Sequence, residues 1–394
     1  MQNKKKLLFG LGLNVVVLGI ASMLTDISTE MIFPLFPLFT VEVLGASAAV
    51  IGLIEGIAES TASLLKVASG WWSDKIRRRK PIIIAGYGLS TIVKPALAAA
   101  TSWPHALAVR FADRVGKGVR TAPRDALIAD SSHRKVRGKA FGLHRALDTT
   151  GAVIGPGIAF LLMWLLSGQG NSAYRWVFLI ATIPAIIAVF VLVLFMKEVK
   201  KGRKISRPVI KGVSFSPEFK LYLGIAAIFA LSNFSWAFLI LKALSLKIAA
   251  EYTILLYMFS NLIYALTSLP AGLLSDRVGR RPVIAFGYAI FGVTCVGFAL
   301  VGSAWLAIFL FALYGLFKGV TEGVQKAYVS DLVASQVRGT AMGAFDTAVG
   351  LAAFPASFVV GIIWYSVGAW AAFTYGAVLS FVAAVLLIVA IKKR

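Results

Sequence analysis

Gly70-Trp-Trp-Ser-Asp74-Lys-Ile-Arg-Arg-Arg-Lys-Pro81 and Gly272-Leu-Leu-Ser-Asp276-Arg-Val-Gly-Arg-Arg-Pro282 are two versions of one segment, set about 201 residues apart. The first copy carries one extra residue. Other pairs keep the same offset: Gly86-Tyr87 with Gly287-Tyr288, Lys117-Gly118-Val119 with Lys318-Gly319-Val320, and Asp130 with Asp331. Val136-Arg137-Gly138 and Val337-Arg338-Gly339 extend the series. The chain is therefore read as two parallel copies of one unit, joined by the basic segment 197–217. The domains expected are 1–196, the linker 197–217, and 218–394.

Each copied segment lies between long apolar stretches. Of 394 residues, 59% are hydrophobic and 14% charged, and the mean hydropathy is +0.83. Soluble domains hold about 25% charged residues, so a soluble enzyme, a disordered chain and a disulfide scaffold are excluded. The apolar runs are long and do not alternate, which argues against a β-barrel. Twelve of them read as spans: 8–41, 48–72, 81–101, 105–129, 139–166, 174–196, 219–242, 252–274, 282–302, 304–328, 339–366 and 369–391. The fold class expected is an all-α polytopic membrane protein.

Net charge is +23. In a soluble protein such an excess would point to nucleic acid; here its distribution gives another reason. Twenty-seven of the 40 basic residues fall at the termini and the even-to-odd connections, and about three in the opposite connections. The positive-inside rule then puts both termini in the cytoplasm, with anionic lipid headgroups as partners of the basic face. The start, KKKLLFGLGLNVVVLGIASM, has the shape of a signal peptide. Its apolar run continues past Asp26 and Glu30, however, and cleavage would leave an odd number of spans. The one cysteine, Cys295, permits no disulfide within the chain and no cysteine-based metal site.

GWWSDKIRRRK and GLLSDRVGRR resemble the loop signature of the major facilitator superfamily, in both halves. The resemblance covers the whole chain and implies twelve transmembrane helices in two six-helix bundles that transport by alternating access. It departs in the first copy, which has Arg77 where glycine is usual and the inserted Lys80. It implies gating roles for Gly70, Asp74, Arg78, Gly272, Asp276 and Arg280. The fifth span, Gly142-x8-Gly151-x3-Gly155-Pro156-x2-Ala159, resembles the antiporter motif of proton-coupled drug exporters, with Ala159 and Phe160 replacing a final glycine pair. Small residues and a proline at this spacing give a smooth, kinked, close-packing helix face.

The fourth span is unusual. Between Arg110 and Asp125 it carries seven charges in sixteen residues: Arg110, Asp113, Arg114, Lys117, Arg120, Arg124 and Asp125. Charge in a span is costly and faces a partner or a wet cavity. Arg110, Asp113, Arg114 and Lys117 recur at helical spacing and are expected on one face. Arg114-Val-Gly-Lys117-Gly118 resembles the superfamily pattern R-x-x-q-G, with lysine at the glutamine position. Arg120, Arg124 and Asp125 are read at the cytoplasmic end, solvated or linked to the gate. Asp26 and Glu30 share a face of the first span; Glu55, Glu59 and Lys66 share one in the second; Lys94 lies in the third; His144, Arg145 and Asp148 lie in the fifth.

Asp26, Glu30, Arg110, Asp113, Arg114, Lys117, His144, Arg145 and Asp148 are thus the candidates for proton coupling and the substrate cavity. A purely structural salt-bridge network is the competing account. The second half is plainer. Asn261 and Tyr257 stand at the offset from Glu59 and Glu55, and with Asn233 and Trp236 they are the expected substrate wall. No catalytic nucleophile set, Walker loop or metal-ligand cluster is found, and no cofactor is expected. The expected function is a secondary active transporter of the inner membrane, acting as a monomer on a small molecule and protons, most simply by export. Transport of a metal cation or another polar solute, in either direction, and lipid flipping are the alternatives.

Overall fold

The computed structural model describes residues 11–76, 78–132, 136–199, 215–334 and 337–390. Lys4, Lys5, Lys6, Arg77, Arg134, Lys135, residues 200–214 of the linker, Lys392, Lys393 and Arg394 lie outside the described residues. The rest is helical: α1 Leu13–Ile32, α2 Phe36–Glu42, α3 Ala48–Ile76, α4 Lys80–Ala98, α5 Trp103–Asp130, α6 Arg137–Leu165 and α7 Asn171–Phe195. After the linker come α8 Pro217–Ser232, α9 Ala237–Ser245, α10 Ala250–Val278, α11 Arg280–Leu300, α12 Ala304–Asp331, α13 Arg338–Ser366 and α14 Ala369–Val389.

Among the described residues, eleven helical segments are long and apolar enough to cross a membrane. In that reading α1 and α2 form one segment, and α8 and α9 another. Pro34, which lacks an N–H, separates the first pair. In the second, Ser235 interrupts the helix: its Oγ accepts from the Ala237 N–H at 3.3 Å and its own N–H donates to Ser357 Oγ at 3.1 Å. The helix α5 has 28 residues, ample for a span, but its charges keep it out of the eleven.

The chain divides by contact into two compact units. The first comprises Met1–Phe39 with Thr61–Lys204, the second Thr40–Ser60 with Ile205–Arg394. The continuous helix α3 therefore contributes its N-terminal part to the second unit and its C-terminal part to the first. Within the first unit α1 packs chiefly on α6 and α7, and α4 on α5; within the second, α11 packs on α14 and α12, and α10 on α12.

Small residues set these contacts. A Cβ on Gly116 of α5 would lie 2.5 Å from Ser90 Oγ and 2.6 Å from the Gly86 carbonyl of α4. A Cβ on Gly118 would meet Leu65 and Ala62 of α3 at 2.6 and 2.9 Å. So α5 is wedged between α3 and α4 with backbones nearly touching. The turn from α10 to α11 is made by Gly279 at φ +97°, a conformation glycine adopts without a steric cost. Apolar side chains face outward, among them Ile183, Phe190 and Leu194 on α7 and Val385 and Val389 on α14. Faces this apolar are a liability in water and a fit to acyl chains.

The variant Gly116→Ala is expected to lose about 1–3 kcal/mol of stability through overpacking. Gly88→Ala, on α4 with nothing within 4 Å of its Cβ, is expected to change stability by less than about 1 kcal/mol. Melting curves of the purified protein in detergent compare the two.

Candidate functional site

The interior of the first unit holds the charged side chains. Arg114, only 2% exposed, lies with its Nε 3.9 Å from Asp113 Oδ2. The Arg110 guanidinium sits over the rings of Phe33 and Phe36, at 5.1 and 5.2 Å from their centroids. That contact adds cation–π shielding to the charge. Lys94 reaches from α4 to α1 and donates to Ser28 Oγ at 2.7 Å and Thr29 Oγ1 at 3.1 Å. A small cavity in this unit is lined by Lys94, Arg110 and Asp113 with Thr29, Ile32, Phe36, Leu97 and Val109. Asp26 interacts electrostatically with Lys117, Arg124, Arg120 and Lys94.

Lys117 is exposed, and it is also first among the cations that act on Asp26. One expectation about α5 needs correction. Arg120 is not a solvated end residue; it is buried, donates to Ser90 Oγ at 2.7 Å and lies 4.5 Å over the Tyr87 ring.

A second cluster joins α1, α4, α5 and α6. Ser22 Oγ lies 2.8 Å from Tyr87 Oη and 3.1 Å from His144 Nε2, and accepts from Arg124 Nη1 at 3.1 Å. His144 Nδ1 is 3.3 Å from Asp148 Oδ2. Arg124 also donates to Asp125, its Nε being 3.0 Å from Oδ1. Arg145 is exposed. The glycines of α6 bring α1 against this cluster. A Cβ on Gly151 would lie 2.5 Å from the Met23 carbonyl and 3.0 Å from Asp26 Cβ; on Gly155, 2.6 Å from the Ile27 carbonyl and 2.8 Å from Glu30 Cβ. Pro156 follows inside the helix and Ala159 is buried. Gly142 meets nothing within 4 Å, so close packing at that position is absent.

The loop segments repeat as side-chain geometry. In the second unit Arg280 pairs with Asp276 at 2.5 Å and Asp331 at 3.3 Å. In the first, Arg79 pairs with Asp74 at 3.1 Å and with Asp130. The expected partner, Arg78, is exposed instead. The extra residue of the first copy thus falls before Arg79, and Lys80 is the counterpart of Arg281. Lys80 donates to the Val193 and Met196 carbonyls at 3.0 and 2.6 Å; Arg281 donates to the Leu387 and Ile388 carbonyls at 3.2 and 3.1 Å. Both place a cation at the carbonyl end of the last helix of their unit. Gly70 comes close to α5, its Cβ position 3.2 Å from Ala122 Cβ, whereas Gly272 has nothing within 4 Å.

In the second unit Trp236 is 6% exposed and its ring meets Tyr257 at 4.5 Å and Tyr314 at 5.0 Å, both edge-on. Its indole N–H has no hydrogen-bond partner. Asn233 ends α8, and Asn261 is half-buried on α10. Glu55, buried in this unit, accepts from Ser235 Oγ at 3.2 Å. Glu59 belongs by contact to the same unit, and Lys66 to the first.

Helices long and apolar enough to cross a membrane, arranged as two units that share a sequence repeat, are those of a multi-pass membrane protein. The Major Facilitator Superfamily model matches residues 18–259 and 221–394, and the chain belongs to that superfamily. It is 40% identical over 382 residues to an uncharacterised MFS-type transporter of Methanocaldococcus jannaschii, covering 95% of this chain and 94% of the relative. Among solved structures, a POT family transporter in complex with 5-aminolevulinic acid superposes with a TM-score of 0.77 at 13% identity, covering 98% of this chain and 96% of the other. A D-xylose-proton symporter does so at 0.74 and 15%, covering 95% and 96%. At these identities the two structures share the fold.

Arg79→Ala is expected to cost about 2 kcal/mol, since it removes charge-assisted bonds to two carboxylates. Arg78→Ala is expected to cost less than about 0.5 kcal/mol. Thermal unfolding of the two variants, with Arg280→Ala as the counterpart in the second unit, checks the register.

Proposed function

We propose that the protein is a proton-coupled secondary transporter of the inner membrane that exports a small solute. In this reading it has twelve spans, with α5 as the fourth, both termini cytoplasmic, and the basic connections against anionic lipid headgroups. It works as a monomer. The observation that carries the proposal is the enclosure of Arg110, Asp113, Arg114 and Lys94 inside the first unit. Replacing a buried ion pair with well-packed apolar residues is often neutral or stabilising, so stability alone gives little reason to keep these charges. Alternating access gives one: a carboxylate whose surroundings change between two states can take a proton in one and release it in the other.

Asp26, Glu30 and Asp113 are the carboxylates of this site, and Arg110, Arg114 and Lys117 the cations that set their charge state. His144, Arg145 and Asp148 belong to the same machinery. Trp236, Tyr257, Asn233 and Asn261 supply the substrate wall, an aromatic surface with few charges. Asp74 and Asp276, with their arginines, act in gating. Contact of Gly151 and Gly155 with the α1 backbone beside Asp26 and Glu30 supports export, because it ties the antiporter-type face of α6 to the acidic helix.

The test is proton flux in reconstituted vesicles under an imposed pH gradient, with lipophilic cations, zwitterions, organic anions and divalent metals as probes. Proton movement dependent on one probe class is expected, and Asp113→Asn should reduce it at least about tenfold, the effect of roughly 1.4 kcal/mol at the coupling step. Phe111→Ala, an exposed change on the same helix, should leave it intact. Tracer exchange without proton movement would contradict the reading.

A further inference from the structure

The cluster around Ser22 can be accounted for hydrogen by hydrogen. A serine hydroxyl has one donor and two acceptor sites, and an arginine only donates. Arg124 therefore occupies one acceptor site of Ser22 in every state. One donor and one acceptor site remain, and they face Tyr87 Oη at 2.8 Å and His144 Nε2 at 3.1 Å. Two arrangements satisfy Ser22 and both ring nitrogens. With a neutral ring whose proton is on Nδ1, the ring donates to Asp148 Oδ2, Ser22 donates to Nε2, and Tyr87 donates to Ser22. With a second proton on the ring, Nε2–H donates to Ser22, and Ser22 donates to Tyr87. Passing between them needs only the turning of two hydroxyls.

A further observation points the same way. Asp148 Oδ1 is buried and has no hydrogen-bond partner. Among the described residues, the carboxylate's partner is the ring of His144, one turn away on α6. A buried carboxylate left short of donors is costly, and an imidazolium is a stronger, charge-assisted donor than a neutral imidazole.

We propose that the His144–Asp148 pair is the proton-carrying site of the first unit and that Ser22 and Tyr87 are its relay, their hydroxyls reversing as the pair gains or loses one proton. The inference rests on the proton-coupled reading above and narrows it to one pair. The step is a transfer of one proton from water to His144 Nε2 and back; no other bond forms or breaks, and the proton belongs to the pair as a whole. The charged groups around it are Asp26 from α1, Arg124 and Asp125 from α5, and Arg145 on α6 itself. From α4 come the Tyr87 phenol and, over its ring, Arg120. The titratable groups of α7, Tyr174 and Arg175, lie within its first five residues.

The chain has three histidines, so nitrogen NMR of histidine-labelled protein in lipid nanodiscs isolates the site without any substrate. The His144 signals are those lost in His144→Gln. As the pH is lowered they are expected to pass from one neutral tautomer to the doubly protonated ring. Asp148→Asn, which removes the carboxylate beside Nδ1, should displace that transition. Ser22→Ala and Tyr87→Phe, which remove single hydroxyls and keep the helices packed, should also displace it. A ring that keeps one tautomer and one charge throughout overturns the proposal. So does a transition identical in the wild type, Asp148→Asn and Ser22→Ala. The vesicle assay separates this claim from the broader one. Full coupled flux in folded His144→Gln overturns the assignment and leaves proton coupling standing. No coupled flux in the wild type with any probe overturns both.

Discussion

Charged side chains between Arg110 and Asp125 have to be accommodated in a helix flanked on every side by apolar ones. An isolated charge in such surroundings is costly by any measure, and the first unit is organised around meeting that cost. Asp113 stands against Arg114; Lys94 crosses from α4 to the hydroxyls of α1; Arg110 lies over two phenylalanine rings; Arg120 lies over Tyr87 and donates to Ser90. The glycines follow from the same need. Gly116 and Gly118 bring α4 and α3 onto α5, which excludes lipid from the charges and brings hydroxyl partners within reach. Gly151 and Gly155 do the same for α1 and α6.

The two units share a frame and differ in what fills it. An arginine bridging two aspartates at the helix ends, and a cation on the final carbonyls of the last helix, occur in both. The first span of each is interrupted, by Pro34 in one and around Ser235 in the other. Inside, the equivalents diverge. Where the first unit has Arg120 over Tyr87, the second has Thr321 against Gly287, an apolar contact. Its interior is aromatic, with Phe229 stacked on Tyr288 at 3.6 Å and Phe317 tilted against Phe291 at 4.7 Å. One unit thus holds charge and hydroxyls while the other holds rings, the division of labour on which the proposed function draws.

Much of the frame was legible in the sequence, because hydropathy and a repeat act over many residues at once. The spans, the paired loop segments and the abnormal charge of α5 came from such signals. Finer details did not. The choice between Arg78 and Arg79 depended on where one extra residue falls, and both placements align equally well as letters. Lys117 fits the charged face by periodicity and is exposed, while the two glycines flanking it carry the packing. Arg120 sits at the edge of that face, and only the position of α4 buries it. Ser22, Ser28, Tyr87 and Ser90 escaped notice because small hydroxyls and tyrosines are common in membrane helices. Their role appears only when a lysine, a histidine or an arginine on another helix points at them. Tyr87 belongs to the repeat, which says nothing of its hydroxyl.

The central claim is that the enclosed charges of α5 serve a moving proton and are not a structural staple. It is tested most directly by the double variant Asp113→Asn with Arg114→Gln, which removes both partners of a buried pair together. Melting temperature and gradient-driven proton flux would be read on the same reconstituted preparation. The account predicts a folded protein whose stability lies within about 1–2 kcal/mol of the wild type and whose coupled proton flux is lost. A variant that unfolds readily, while its remaining folded fraction carries protons at the wild-type rate, would contradict it.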